Sequence, residues 1–223
     1  MSVKALIFDV DGTLAETEEA HREAFNDTFK ANGMDWYWDV PMYGILLKTT
    51  GGKERMQEYQ QTYRPDEPQM DWERIKDLHA QKTERYVEIL AAGGLPLRDG
   101  VADLIERAAA AGLRLAIATT TSRPNVDALT ACCWAKAPED IFEVIATGEQ
   151  VKAKKPAPDL FELALIGLGL PAEDCLAFED SRNGVLSATG AGLRTIVTPG
   201  KYTEDDDFTG ADTIIPSLTG FPL

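Results

Sequence analysis

The stretch Val3-Lys-Ala-Leu-Ile-Phe-Asp-Val-Asp-Gly-Thr13 decides the fold. Its apolar run stops abruptly at Asp9 and is too short for a helix, so it reads as a buried strand running into a loop. Short apolar runs of the same kind recur at Leu113–Ala118, Val144–Ala146, Cys175–Phe178, Arg194–Val197 and Thr213–Ile215. Helical stretches separate most of them, notably 158–168 and 182–191, and a helix is expected over 100–111. Strands alternating with helices make βαβ units and a parallel sheet, so the fold class is α/β.

Residues 17–92 interrupt that alternation. Glu16 to Lys30 reads as a helix, with His21, Phe25 and Phe29 spaced by four. Glu16, Glu18 and Glu19 load its first turn, where the helix dipole favours negative charge. A second long helix is expected from Asp71 to about Leu90, with Ile75, Leu78, Tyr86 and Ile89 on one face, and a shorter one over 53–63. The organisation that follows is a sheet-bearing core over 1–16 and 93–223. An all-helical insert over 17–92 is expected to rest over one end of the sheet.

The 223 residues carry 22 Lys+Arg against 37 Asp+Glu, a net charge of −15. A chain of this size buries roughly 70–75% of its unfolded surface and needs no covalent staple. The charge repels a phosphate backbone and an anionic lipid surface, which argues against nucleic-acid and membrane partners. Cys132, Cys133 and Cys175 make no disulfide framework and read as buried thiols in a reducing compartment. No run approaches the ~20 apolar residues of a membrane span, and Met1–Phe8 does not read as a signal peptide. A cytoplasmic monomer is expected.

Ligands of open parallel sheets bind beyond the carboxyl ends of the strands, which singles out four loops. Asp9 and Asp11 project to one side of the first strand's end, where a divalent cation relieves their repulsion; an oxygen-rich site suits Mg²⁺. A bare Asp-x-Asp fits a capping pair in a solvated turn as well. Thr119-Thr-Thr-Ser122 suits either an anion cradle or a helix cap. Lys152, Lys154 and Lys155 form a basic cluster unusual in so acidic a chain, either functional or a solvated charge run. Glu179 and Asp180 end the fourth apolar run with two more acids, as a metal site would require.

Asp9-Val-Asp-Gly-Thr-Leu14, Thr119, Lys155-Pro-Ala-Pro-Asp159 and Glu179-Asp180 resemble, in order, the four motifs of the haloacid dehalogenase-like hydrolases, over Ile7 to Gly192. One departure is Lys154, where relatives usually have Gly. The resemblance implies a Rossmann-like catalytic core with a helical cap inserted after the first strand. It implies that Asp9 is the nucleophile, forming an aspartyl phosphate, and that Asp11 is the general acid and then the base. Thr119 and Lys155 are implied to hold the phosphate. Asp9, the Asp11 carbonyl, Asp180 and (through water) Glu179 are implied around Mg²⁺. An acid at position 11 favours phosphoryl transfer over dehalogenation.

The insert is similar to the cap of the β-phosphoglucomutase-like subgroup. Thr17 and His21 match positions used there at the hinge and near the leaving group; His21 also fits a packed histidine on an apolar face. A narrower resemblance, from Trp36-Tyr-Trp-Asp39 through Leu46-Leu47 to Gly51-Gly-Lys-Glu-Arg-Met56, is to the CbbY-type phosphatases. These remove the carbon-1 phosphate of xylulose-1,5-bisphosphate, an inhibitor of Rubisco, and so serve the Calvin cycle. Substrate contacts are implied from Glu16, His21, Tyr43, Gly51, Gly52, Lys53, Arg55, Thr119, Thr120 and Lys155. Gly51 and Gly52 allow close backbone approach, and Arg55 offers a bidentate fork for a second phosphate. The plain alternative is a helix start with surface charges. Trp36, Tyr37, Trp38 and Tyr43 read as cap core. A sugar-phosphate mutase shares the same core motifs and is the competing expectation; a non-enzymatic binding protein is the third.

Overall fold

The computed structural model describes residues 3–223. The chain runs β1 (Ala5–Phe8), α1 (Glu18–Ala31), α2 (Val40–Leu46), α3 (Gly52–Tyr63), α4 (Trp72–Ala91), α5 (Val101–Ala110) and β2 (Arg114–Ala118). It continues through α6 (Arg123–Trp134), β3 (Val144–Ala146), α7 (Asp159–Leu168), β4 (Cys175–Glu179), α8 (Arg182–Gly190), β5 (Arg194–Val197) and β6 (Thr213–Ile214). It divides into two compact units, Met1–Thr17 with Leu95–Leu223, and Glu18–Gly94.

The first unit is built on a six-stranded sheet in the order β3-β2-β1-β4-β5-β6, with every pairing parallel. A parallel sheet is covered on both faces, which is why β1 is buried along its whole length. Registered positions of neighbouring parallel strands share a face. Leu6, Leu115 and Leu176 line up, as do Phe8, Ile117 and Phe178, and Phe8 stacks on Phe178 at 4.7 Å. The opposite face is small: Ile7 lies between Ala116 and Ala177, and Leu160, Phe161, Ala164 and Leu168 of α7 pack into that relief. The Asp9 N–H extends the ladder to Phe178 O at 3.0 Å. Asp9 therefore emerges beside Glu179 on the small-residue face. Strand order reverses at β1, and this switch point is where such sheets take ligands.

In the second unit α1 packs along α4. His21, Ala24, Phe25, Thr28 and Phe29 are buried on one helix, and Ile75, Leu78, Lys82, Tyr86 and Leu90 on the other. Trp36, Trp38, Tyr43 and Tyr59 close an aromatic cluster with Phe25 and Phe29.

Several expectations are corrected in detail. α1 begins at Glu18 and not at Glu16, because Ala15 bridges Leu97 and the Thr17 N–H turns back to Ala15 O. The inner face of α4 carries Leu90, with Ile89 only half-buried, as the i+4 step from Tyr86 dictates. Tyr37 is 67% exposed and belongs to no core. Cys132 and Cys133 are half-buried, since the buried face of α6 is Asn125, Val126, Leu129 and Thr130. α2 is a seven-residue helix that the sequence hides behind Pro41 and Gly44; Asp39 caps it by accepting from the Met42 N–H at 2.8 Å. Among the described residues no helix is long and apolar enough to cross a membrane.

The small-residue face makes a quantitative demand. Ala116→Leu inserts three carbons under α7 and is expected to destabilise the protein by about 1–3 kcal/mol through overpacking. A urea unfolding midpoint unchanged from wild type would show that the face has room to spare.

Candidate active site

The carboxyl ends of β1 and β4 deliver the acids. Asp9, Glu179 and Asp180 are all buried, and each offers a carboxylate oxygen within 4.8 Å of the others. Lys155 reaches the same place from the loop before α7. Its ammonium lies 2.6 Å from Asp9 Oδ1 and 2.6 Å from Glu179 Oε1, and 5.0 Å from the centre of the Phe161 ring. Ser187 of α8 anchors this loop by donating to Ala157 O at 2.6 Å. Of the lysine cluster, Lys154 is half-buried and Lys152 exposed.

Burial dominates the electrostatics. It pushes the Asp9 carboxyl up to about 8 against the pull of Lys155, and Glu179 is raised for the same reason. Burial acts on Lys155 in the lowering sense, but Asp9 and Glu179 outweigh it and the ammonium is held firmly charged. One ammonium cannot balance two buried carboxylates with a third beside them. A cluster of hard oxygen donors carrying surplus negative charge fits a divalent cation such as Mg²⁺.

Glycines make the room. A Cβ on Gly184 of α8 would overlap the Glu179 carboxylate, and one on Gly12, at φ +83°, would overlap that of Asp180. Asp11 is half-buried and accepts a short hydrogen bond from Thr17 Oγ1. Thr119 is buried after β2; its N–H donates to Ala146 O at 2.9 Å and its Oγ1 accepts the Thr121 N–H at 3.2 Å. Thr120 is half-buried. Ser122 stands at the N-cap of α6 and makes no side-chain cap bond. The buried Ser122 Oγ has no hydrogen-bond partner among the described residues. Burial pushes the Cys133 thiol up to about 12 and Cys175 to about 11, which removes both as nucleophiles at neutral pH.

The remaining sequence candidates form two groups in the helical unit and one outlier. Arg55 is buried; it donates to Leu46 O at 3.1 Å and to the Tyr43 hydroxyl at 3.0 Å, which in turn donates to Glu18 at 2.7 Å. Gly51 is the N-cap of α3 at φ +98°, and Lys53 is half-buried in the first turn. The room left by Gly52 is taken by His79 and Phe25, so its missing side chain serves packing. His21 stacks on Tyr86 at 4.0 Å, and its Nδ1 lies 2.7 Å from Lys82 Nζ. Glu16, the outlier, pairs with Arg98 at 3.3 Å. Lys82 and Arg98 escaped the sequence reading. Lys82 had a signal: it interrupts the Leu78-Tyr86-Leu90 stripe at a core position. Arg98 had none.

The model of the haloacid dehalogenase-like hydrolases matches residues 3–192. The chain belongs to that family. It is 59% identical to protein CbbY of Rhodobacter capsulatus over 219 residues, covering 98% of this chain and 95% of that protein. Its fold superposes on the crystal structure of CbbY from Rhodobacter sphaeroides in complex with phosphate, with a TM-score of 0.94, 51% identity and coverage of 98% and 96%. A mutant of that CbbY in complex with xylulose-(1,5)bisphosphate gives a TM-score of 0.93 at 50% identity, with the same coverage. The chain is thus a hydrolase with an α/β fold of this family.

The buried charge cluster generates a test that needs no substrate. Lys155→Met strands Asp9 and Glu179 without their ammonium and is expected to cost about 3–5 kcal/mol in chelator-treated protein, read by denaturant unfolding. A loss below about 1 kcal/mol would show that the ammonium is dispensable to the fold.

Proposed function

We propose that the protein is a Mg²⁺-dependent sugar-bisphosphate phosphatase acting through an aspartyl phosphate, and that it converts xylulose-1,5-bisphosphate to xylulose 5-phosphate. The observation that carries this is the Asp9–Lys155–Glu179 cluster beside Asp180 at the sheet's switch point. The choice of substrate is supported by the structure of the Rhodobacter sphaeroides CbbY mutant in complex with xylulose-(1,5)bisphosphate.

Asp9 attacks phosphorus, and the sugar alkoxide leaves as the Asp9–phosphate bond forms; water then breaks that bond. Lys155 offsets the repulsion between the carboxylate and the incoming dianion. Asp11 protonates the leaving oxygen and later takes the proton from water, and Thr17 orients its carboxyl by donating to it. The Thr119 and Thr120 loop receives the phosphate oxygens. Asp9, Asp180 and the Asp11 carbonyl would hold Mg²⁺, with Glu179 beside them, and the ion would supply stabilisation of the charge on the transferring group. The helical unit acts as the cap: Arg55, Lys53 and the backbone at Gly51 and Gly52 take the phosphate that is not cleaved, with Glu16, His21 and Tyr43 along the sugar.

Phosphate release from xylulose-1,5-bisphosphate is the direct assay. Asp9→Asn is expected to lose ~10⁴ or more in kcat with the fold intact. Excess EDTA should abolish turnover and Mg²⁺ restore it. Activity of Asp9→Asn within tenfold of wild type would remove the nucleophile, and full activity in EDTA would remove the metal. Conversion of β-glucose 1-phosphate to glucose 6-phosphate without free phosphate would make the enzyme a mutase.

Arg55 tests the substrate. Arg55→Ala removes charge-assisted bonds worth ~1.5–3 kcal/mol, or roughly 10- to 150-fold in kcat/KM, that a bisphosphate makes and p-nitrophenyl phosphate cannot. The bisphosphate should lose at least tenfold while the aryl ester changes little. Equal losses on both would assign Arg55 to holding Tyr43 and Glu18 in place.

A further inference from the structure

Arg98 enters the sheet unit just after the helical one. Its N–H donates to Leu14 O at 2.9 Å and Leu97 bridges Ala15, so the residue is docked against the chain that leaves the first motif. Its guanidinium, mostly buried, donates to three carbonyls: Gly12 O, Thr198 O at 2.7 Å and Pro199 O at 2.7 Å. Glu16 sits against the same group at 3.3 Å. These carbonyls come from two loops that meet on Asp180. Gly12 leaves the space that the Asp180 carboxylate fills, and a Cβ on Gly200 would stand 2.9 Å from Asp180 Oδ2. Thr203 Oγ1 accepts the Gly200 N–H at 2.8 Å and donates to Asp180 O at 2.7 Å. The Asp180 carboxylate therefore lies in a slot walled by the backbones of Gly12 and Gly200, and Arg98 bonds to both loops that form the walls.

We infer that Arg98 is a positioning residue for the acid cluster: by clamping the Gly12 carbonyl to those of Thr198 and Pro199, it sets the place of the Asp180 carboxylate beside Asp9 and Glu179. This rests on the reading of that cluster as the metal-holding part of the site. The arrangement needs a planar fork, because three carbonyls and a carboxylate spread around one group outnumber the donors of an ammonium and demand fixed directions. Partners that orient metal ligands typically change metal affinity by 10- to 100-fold when lost, without touching substrate.

The test titrates the full chain with Mn²⁺, followed by paramagnetic resonance, in wild type, Arg98→Lys and Thr203→Val. Arg98→Lys is expected to weaken Mn²⁺ binding tenfold or more. It should raise the Mg²⁺ concentration for half-maximal p-nitrophenyl phosphate hydrolysis by a similar factor, with an unchanged metal-free circular dichroism spectrum and unchanged KM for the ester. Thr203→Val perturbs the same slot without touching Arg98 and should weaken Mn²⁺ binding less. The double variant should lose less than the product of the two separate losses, as residues sharing one slot do. Mn²⁺ affinity within twofold of wild type in folded Arg98→Lys would overturn the assignment, whatever happened to activity. So would fully independent effects of the two substitutions. Wild-type protein that binds no Mn²⁺ would instead withdraw the metal reading itself, before any variant is made, and the role of Arg98 with it.

Discussion

Two carboxylates and one ammonium buried together at the junction of β1 and β4 are the constraint around which the sheet unit is arranged. Taking such charges out of water costs several kcal/mol each, and only close, well-bonded partners return it. Lys155 provides two such bonds, at 2.6 Å each. The surrounding structure exists in a form that permits them. α8 has Gly184 where any side chain would displace Glu179, and the Asp9 loop turns at Gly12 where any side chain would displace Asp180. The alanines of the neighbouring strands let α7 lie close enough to bring Phe161 beneath the Lys155 ammonium.

The helical unit solves a similar problem twice with cations and rings. Arg55 lies over Tyr43 at 5.2 Å, and Lys82 lies 4.8 Å from the centre of Phe25 and 5.2 Å from that of Tyr86. A ring face attracts a cation and supplies apolar contact at once, so a charged group can sit inside a small helical core. Both cations also bond to a polar neighbour: Arg55 to the Tyr43 hydroxyl and Lys82 to His21. Polar groups held this firmly keep one geometry.

Most of the architecture was legible because short buried strands announce themselves. Five apolar runs gave β2 to β6 within a residue or so, and the run before Asp9 gave β1. The long amphipathic helices showed their period, and the acids stood directly after strands, where an open parallel sheet exposes its loops. What failed was local. Glu16 reads as a first-turn acid but is held by Arg98; Tyr37 reads as core among three buried aromatics but faces outward. Helix α2 was invisible because proline and glycine within seven residues erase the period.

The sequence by itself determined the element order, the parallel sheet and the identity of the acids and the lysine, since each depends on residues close together in the chain. Tertiary structure alone decided that Asp9 stands beside Glu179, that the Lys155 ammonium bonds to both, and that Arg98 ties Gly12 to Thr198 and Pro199. Those contacts join residues as far apart as 146 positions along the chain. They are set by strand register and by which loops the sheet brings to one edge, and neither is written in any local pattern of residues.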